Sequence, residues 1–180
     1  MSLMDRLALW PVTLSVGSLF ALTWIVLANS SPLLIYNASN SVPAGWYRIT
    51  HARRMTAGDL VLVRLPREAA ALAAQRGYLP STVPLLKTVA ATAPQHVCVQ
   101  GYQVLIDGKR VARQMPWDRQ GRALPTWRAC RHLVNDELFL LSSNPGSFDS
   151  RYFGPVSANA VIGRAQPLKP VPPMNPHLTR

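Results

Sequence analysis

The sequence predicts a mostly β domain with a short helical insertion, carried behind an N-terminal transmembrane helix. Three observations predict it. Leu7 to Ala28 is a run of 22 residues without a charged side chain, longer than the ~20 that cross a bilayer core as a helix. Beyond it, short β-branched and aliphatic runs are separated by Gly, Pro and Asp-Gly, the punctuation of strands and hairpins. One stretch, Pro66 to Arg76, is alanine-rich and framed by a proline and Gly77, and reads as a helix.

In order, residues 1–6 form a tail in which Arg6 is opposed by Asp5, a weak orientation signal. Residues 7–28 form the anchor. Trp10 and Trp24 suit the two membrane interfaces, and Pro11 falls in the first turn, where a helix tolerates it. The rival reading is a cleaved leader, because Val26-Leu27-Ala28 resembles a cleavage site; the apolar core exceeds the ~7–15 residues of such a leader, so the uncleaved anchor is preferred. Residues 29–36 are a juxtamembrane segment and 37–165 the folded domain. Within it, Val42–Ile49, Leu60–Leu65, Leu85–Ala91, Glu137–Leu141 and Val161–Ala165 read as strands. Gln103 to Ala112 is the clearest hairpin, with Asp107-Gly108 as its two-residue turn. Residues 166–180 hold five prolines and read as an irregular or extended tail.

The formal net charge is +11, which favours anionic partners. The cations are scattered (Arg53, Arg54, Lys109, Arg110, Arg119, Arg122) and no aromatic-basic signature accompanies them, so a nucleic-acid partner is excluded and membrane lipid is expected. Cys98 and Cys130 lack paired histidines nearby, so no metal site is expected. Outside the cytoplasm they are free to form a disulfide; the alternative is two buried thiols.

Three stretches bear on chemistry. Ser41 stands in Asn37-Ala-Ser-Asn-Ser-Val-Pro-Ala-Gly-Trp-Tyr47, where Pro43 and Gly45 make turn chemistry that exposes a hydroxyl. Most serines in such turns only satisfy nearby backbone. Lys87 lies in the apolar strand Pro84-Leu-Leu-Lys-Thr-Val-Ala-Ala91; such a lysine usually snorkels outward. Turned inward, it loses hydration, its pKa falls, and the neutral amine can take a serine's proton during attack on a carbonyl. Ser142 to Pro155 is dense in short polar residues directly after a strand, as a loop supporting a site would be; the plainer reading is a turn-rich connection braced by an Asp149–Arg151 ion pair.

Together these stretches resemble the signal peptidase I superfamily, and more closely its conjugative-transfer, TraF-type branch. The resemblance runs from the anchor to about Pro155. It is carried by Asn40-Ser-Val-Pro-Ala-Gly-Trp-Tyr47, Gly58-Asp-Leu-Val-Leu-Val63, Leu85-Leu-Lys87 and, most specifically, Ser147-Phe-Asp-Ser-Arg-Tyr-Phe-Gly154. It implies a signal-peptidase-like β catalytic domain with a Ser41 nucleophile and a Lys87 general base. Ser39 would add its hydroxyl to the Ser41 backbone N–H as an oxyanion hole, and Ser147 would orient the lysine amine. Asp149 is a proposed third catalytic residue in the branch; here it is assigned a supporting role through Arg151. Two departures stand out. The usual box has Met after the serine and Pro one place later than Pro43, which favours the conjugative branch, and Ala90 to His96 replaces the expected glycine-containing turn.

The resemblance implies a single-pass inner-membrane serine endopeptidase with its catalytic domain on the periplasmic side, needing no cofactor or metal. Its substrate would be a pilin or exported precursor in conjugative transfer (type IV secretion), met by shallow pockets with Val42 and Pro43 as wall residues. The alternatives are a general signal peptidase for exported proteins and a catalytically silent structural subunit of a secretion apparatus; the intact Ser41, Lys87 and Ser147–Arg151 stretches weigh against the last.

Overall fold

The computed structural model describes residues 14–20 and 34–168. The chain divides into two units, Met1–Pro32 and Leu33–Arg180. Of the first, residues 14–20 are helical, and no helix among the described residues is long and apolar enough to cross a membrane. Most of the predicted anchor and nearly all of the Pro-rich tail lie outside the described residues.

The described part of Leu33–Arg180 is two antiparallel sheets. The larger joins β1 (Leu34–Asn37), β2 (Gly45–Thr50), β3 (Leu60–Val63), β4 (Leu85–Thr92), β9 (Glu137–Leu141), β10 (Val156–Ser157) and β11 (Val161–Pro167) in the order β1-β2-β11-β3-β4-β9-β10. The smaller has the order β7-β6-β5-β8, from β5 (His96–Gln100), β6 (Gln103–Ile106), β7 (Lys109–Arg113) and β8 (Cys130–His132). β3 reads Leu-Val-Leu-Val because it is central and covered on both faces, with Val61, Leu62 and Val63 all buried. Val61 and Val63 pack in one core cluster and Leu62 in another, on opposite faces of the sheet as a period of two requires. A third cluster is shared between the sheets, with Ala91, Phe139 and Leu141 meeting Val97, Val104 and Ile106.

Local chemistry explains the connections. Asp107 (φ 49°) and Gly108 (φ 78°) make the β6–β7 turn that the sequence predicts. The helical insertion is α1, Arg67–Gln75, with Pro66 before its first turn and Gly77 at φ 69° after Arg76. Ala69, Ala70 and Ala73 are its buried face, small enough to let the helix lie close. In place of the glycine turn after β4, Gln95 donates its backbone N–H to Thr92 O and accepts the Thr92 N–H on its side chain, turning the chain into the second sheet. Cys98 and Cys130 face each other across β5 and β8 and form a disulfide.

Predicted strands and observed strands coincide at Glu137–Leu141 and differ by a few residues elsewhere. β1 covers the end of the stretch assigned to the juxtamembrane segment, and β5, β8 and β10 were not anticipated. β8 is Cys-Arg-His and half-exposed and β10 is two residues long, whereas β5 carries an apolar, buried Val97-Cys98 pair. The Ser142–Pro155 stretch is a loop followed by a one-turn helix, α2 (Ser150–Phe153), that Asp149 caps by accepting the Arg151 N–H.

Candidate active site

Lys87 is in the middle of β4, opposite Val61 of β3, and only 1% of its surface is exposed. Its side chain points inward, against the commoner habit of a strand lysine, because two hydroxyls meet its ammonium inside. Nζ lies 2.9 Å from Ser41 Oγ and also bonds Ser147 Oγ, and the two hydroxyl oxygens are 3.3 Å apart. Three residues separated by 46 and 60 positions are thus brought into one hydrogen-bonded cluster. Burial holds the Lys87 amine down, to about 8 against an ordinary 10.5; the Asp149 carboxylate opposes that shift and the Arg151 guanidinium adds to it. The geometry therefore supplies an amine that is neutral in useful amount at mildly alkaline pH beside an accessible hydroxyl.

The loop carrying Ser41 is shaped by Asn37, the last residue of β1 and 8% exposed. Its carboxamide donates to the carbonyls of Ser39 (2.9 Å), Val42 (2.9 Å) and Pro43 (3.2 Å). Its Oδ1 accepts the backbone N–H (3.2 Å) and the hydroxyl (2.8 Å) of Ser39. Tyr47, buried in β2, donates its hydroxyl to Pro43 O at 2.7 Å. Ser39 and the Ser41 backbone are turned on each other, with the Ser41 N–H 3.4 Å from Ser39 Oγ. Both predicted oxyanion donors are thus neighbours and both are engaged within the loop. Sequence reasoning missed Asn37; its one signal was an Asx residue before a turn-forming stretch, where its side chain commonly bonds nearby backbone.

Asp149 is fully buried and bonded to Arg151, Nε to Oδ1 at 2.7 Å and Nη2 to Oδ2 at 3.0 Å. Asp149 Oδ2 also accepts the Ser142 N–H, and Arg151 Nη2 donates to Ser142 O at 2.9 Å. Ser142 in turn donates its hydroxyl to Ser41 O at 2.5 Å. The ion pair therefore reaches the Ser41 backbone through Ser142. Among the described residues, no hydrogen bond or ion pair joins Asp149 to Lys87. Gln114, 1% exposed, also fixes α2 by donating to the carbonyls of Arg151 and Trp127. Ser142 opens the polar stretch that the sequence marks as site-supporting, but its bond to Ser41 O, like the bonds of Gln114, depends on a partner distant in the chain.

A cleft of about 330 Å³ opens beside Ser41. Val42 and Pro43 line it, as the sequence predicts, together with Thr88 and Ala90 of β4, Ser142, and Val111 from the other sheet. Leu141 and Ser143 complete the lining.

A sequence profile of the family described as "Signal peptidase, peptidase S26" matches residues 6–168. A probable conjugal transfer protein TraF of Sinorhizobium fredii is 40% identical over 139 residues, 72% of this chain and 73% of the relative. A conjugal transfer protein TraF of Agrobacterium fabrum is 37% identical over 142 residues, 73% and 80% of the two chains. Among solved structures, a signal peptidase I from Enterococcus faecalis is matched at a TM-score of 0.37 and 16% identity, over 62% of this chain and 97% of that one.

Proposed function

The chain belongs to the signal peptidase family, and we propose that it is a membrane-anchored serine endopeptidase that cleaves a secreted or pilin precursor in conjugative transfer. The observation that carries the chemistry is the 2.9 Å contact between Lys87 Nζ and Ser41 Oγ, with the amine buried and its pKa depressed. The link to conjugation rests on the relatives, which are conjugal transfer proteins by name.

Neutral Lys87 accepts the Ser41 proton as Oγ bonds to the scissile carbonyl carbon. The ammonium so formed delivers that proton to the departing amine as the C–N bond breaks, leaving an ester on Ser41. Lys87, neutral again, activates the water that hydrolyses the ester. Ser147 holds the amine in line, a role its hydroxyl fills from inside the protein. The oxyanion is met by the Ser41 N–H and the Ser39 hydroxyl once Ser39 turns from Asn37 toward the substrate. The small walls of the cleft favour small side chains on the acyl side of the bond.

The test uses the full-length protein in detergent or membranes and a pilin precursor encoded with the same transfer system. Ser41→Ala and Lys87→Ala should each abolish processing, because nucleophile and base act as a unit and losing either removes the covalent route. Near-normal cleavage by either variant overturns the assignment.

A further inference from the structure

The strand at the edge of the smaller sheet is interrupted at the one residue it sends to the cleft. Gln103 pairs with Arg113 and Val104 with Ala112, but Leu105 pairs with Arg110, so Val111 has no partner on β6. A β-bulge of this kind adds a residue to one strand, bends it and re-aims a side chain, and bulges are frequent beside active sites. Ala112 packs against the core shared by the two sheets, whereas Val111 lines the cleft with Ser41, Val42 and Pro43 and is 47% exposed.

Two features set Val111 apart from an ordinary edge-strand residue. Its neighbours Lys109, Arg110 and Arg113 are exposed and charged, which is how natural edges resist unwanted pairing; an exposed valine breaks that pattern at the point of contact with the cleft. Every other residue lining the cleft comes from the larger sheet or its loops, so Val111 is the smaller sheet's whole contribution to the lining. A substrate side chain seated beside Ser41 would cover apolar surface that is otherwise wet.

We infer that Val111 is a specificity-determining residue, the wall that limits how large a substrate side chain can sit beside Ser41. The inference rests on the peptidase reading and adds to it a residue from outside the catalytic sheet. Removing wall volume makes room for a larger side chain, and a methylene or two in an apolar pocket discriminates by about 10–200-fold.

The experiment uses full-length protein in detergent and peptides that differ only in the residue on the acyl side of the scissile bond, Ala, Val or Leu. Val111→Ala should raise kcat/KM for Leu relative to Ala by about tenfold. Val111→Phe should do the reverse and depress Val and Leu further. A structural role would lower melting temperature and all three rates together; side-chain preferences unchanged within twofold in both variants overturn the inference. The same peptides, fluorescently labelled, are also bound to Ser41→Ala with and without Val111→Ala. If cleavage proves independent of Ser41, the peptidase reading falls while binding still judges the wall. A Leu-over-Ala affinity ratio that rises with Val111→Ala supports the inference, and a constant ratio overturns it.

Discussion

Lys87 sits where an ammonium is costly. Unfolded, the amine keeps its proton up to about 10.5; folded, only up to about 8. Between those pH values the unfolded chain binds more protons, so stability rises with pH across that window. Below about 8 both states are charged and the folded protein carries the full burial cost, on the order of 3 kcal/mol. Lys87→Met is therefore expected to be inactive yet to melt higher than wild type at pH 7, as thermal unfolding would show. For the wild type, cleavage should rise with pH and be half-maximal near 8, since the base works neutral. Asp149 holds the Lys87 pKa up and Arg151 pushes it down. Asp149→Asn removes the first and leaves the second unopposed, so the midpoint of the rate–pH curve should move to lower pH with activity only moderately reduced. Breaking that buried pair should cost about 3–5 kcal/mol, far more than Ser41→Ala. An Asp149→Asn protein as dead as Ser41→Ala but melting like wild type would place the carboxylate in the chemistry instead.

At the scale of elements, two devices hold the site-bearing segments in register. The Cys98–Cys130 disulfide ties β5 to β8 across 32 residues, and the segment between them contributes Val111, Gln114 and Trp127. Replacing both cysteines by serine should lower stability by about 3–4 kcal/mol in the chain-entropy view, read from denaturant unfolding with and without reductant. Gly154 ends α2 at φ 82°, and a Cβ there would lie 2.6 Å from the Trp127 indole. Gly154→Ala should cost more than the ~1 kcal/mol of backbone strain alone, because Trp127 packs against Phe139 in the shared core. Since α2 carries Arg151, some loss of activity should follow the loss of stability.

For the whole molecule, we propose from the uncharged run 7–28 and the cysteine pair an anchored protein whose folded domain lies outside the cytoplasm. The expected outcome is a mature N-terminus that retains residues 7–28 and a domain digested by protease added to spheroplasts. A mature N-terminus near Asn29, or protection from that protease, would contradict this arrangement.

The β class, the alanine-rich helix and the Asp107-Gly108 hairpin are legible in the chain because each rests on local chemistry: alternation, end signals and turn residues. Ser41, Lys87 and Ser147 are singled out only by the short motifs of a family resemblance. Whether Lys87 snorkels or points inward is not local. It was decided by Ser41 and Ser147, residues 46 and 60 positions away, whose hydroxyls meet its amine. The same holds for the hydrogen-bond partners of Asn37, Ser142 and Gln114. Their buried side chains had to find hydrogen-bond partners, and only packing decided which carbonyls those would be. Val111 reads as one apolar residue in a basic edge strand, and only the register of β7 against β6 turned it into a wall of the cleft.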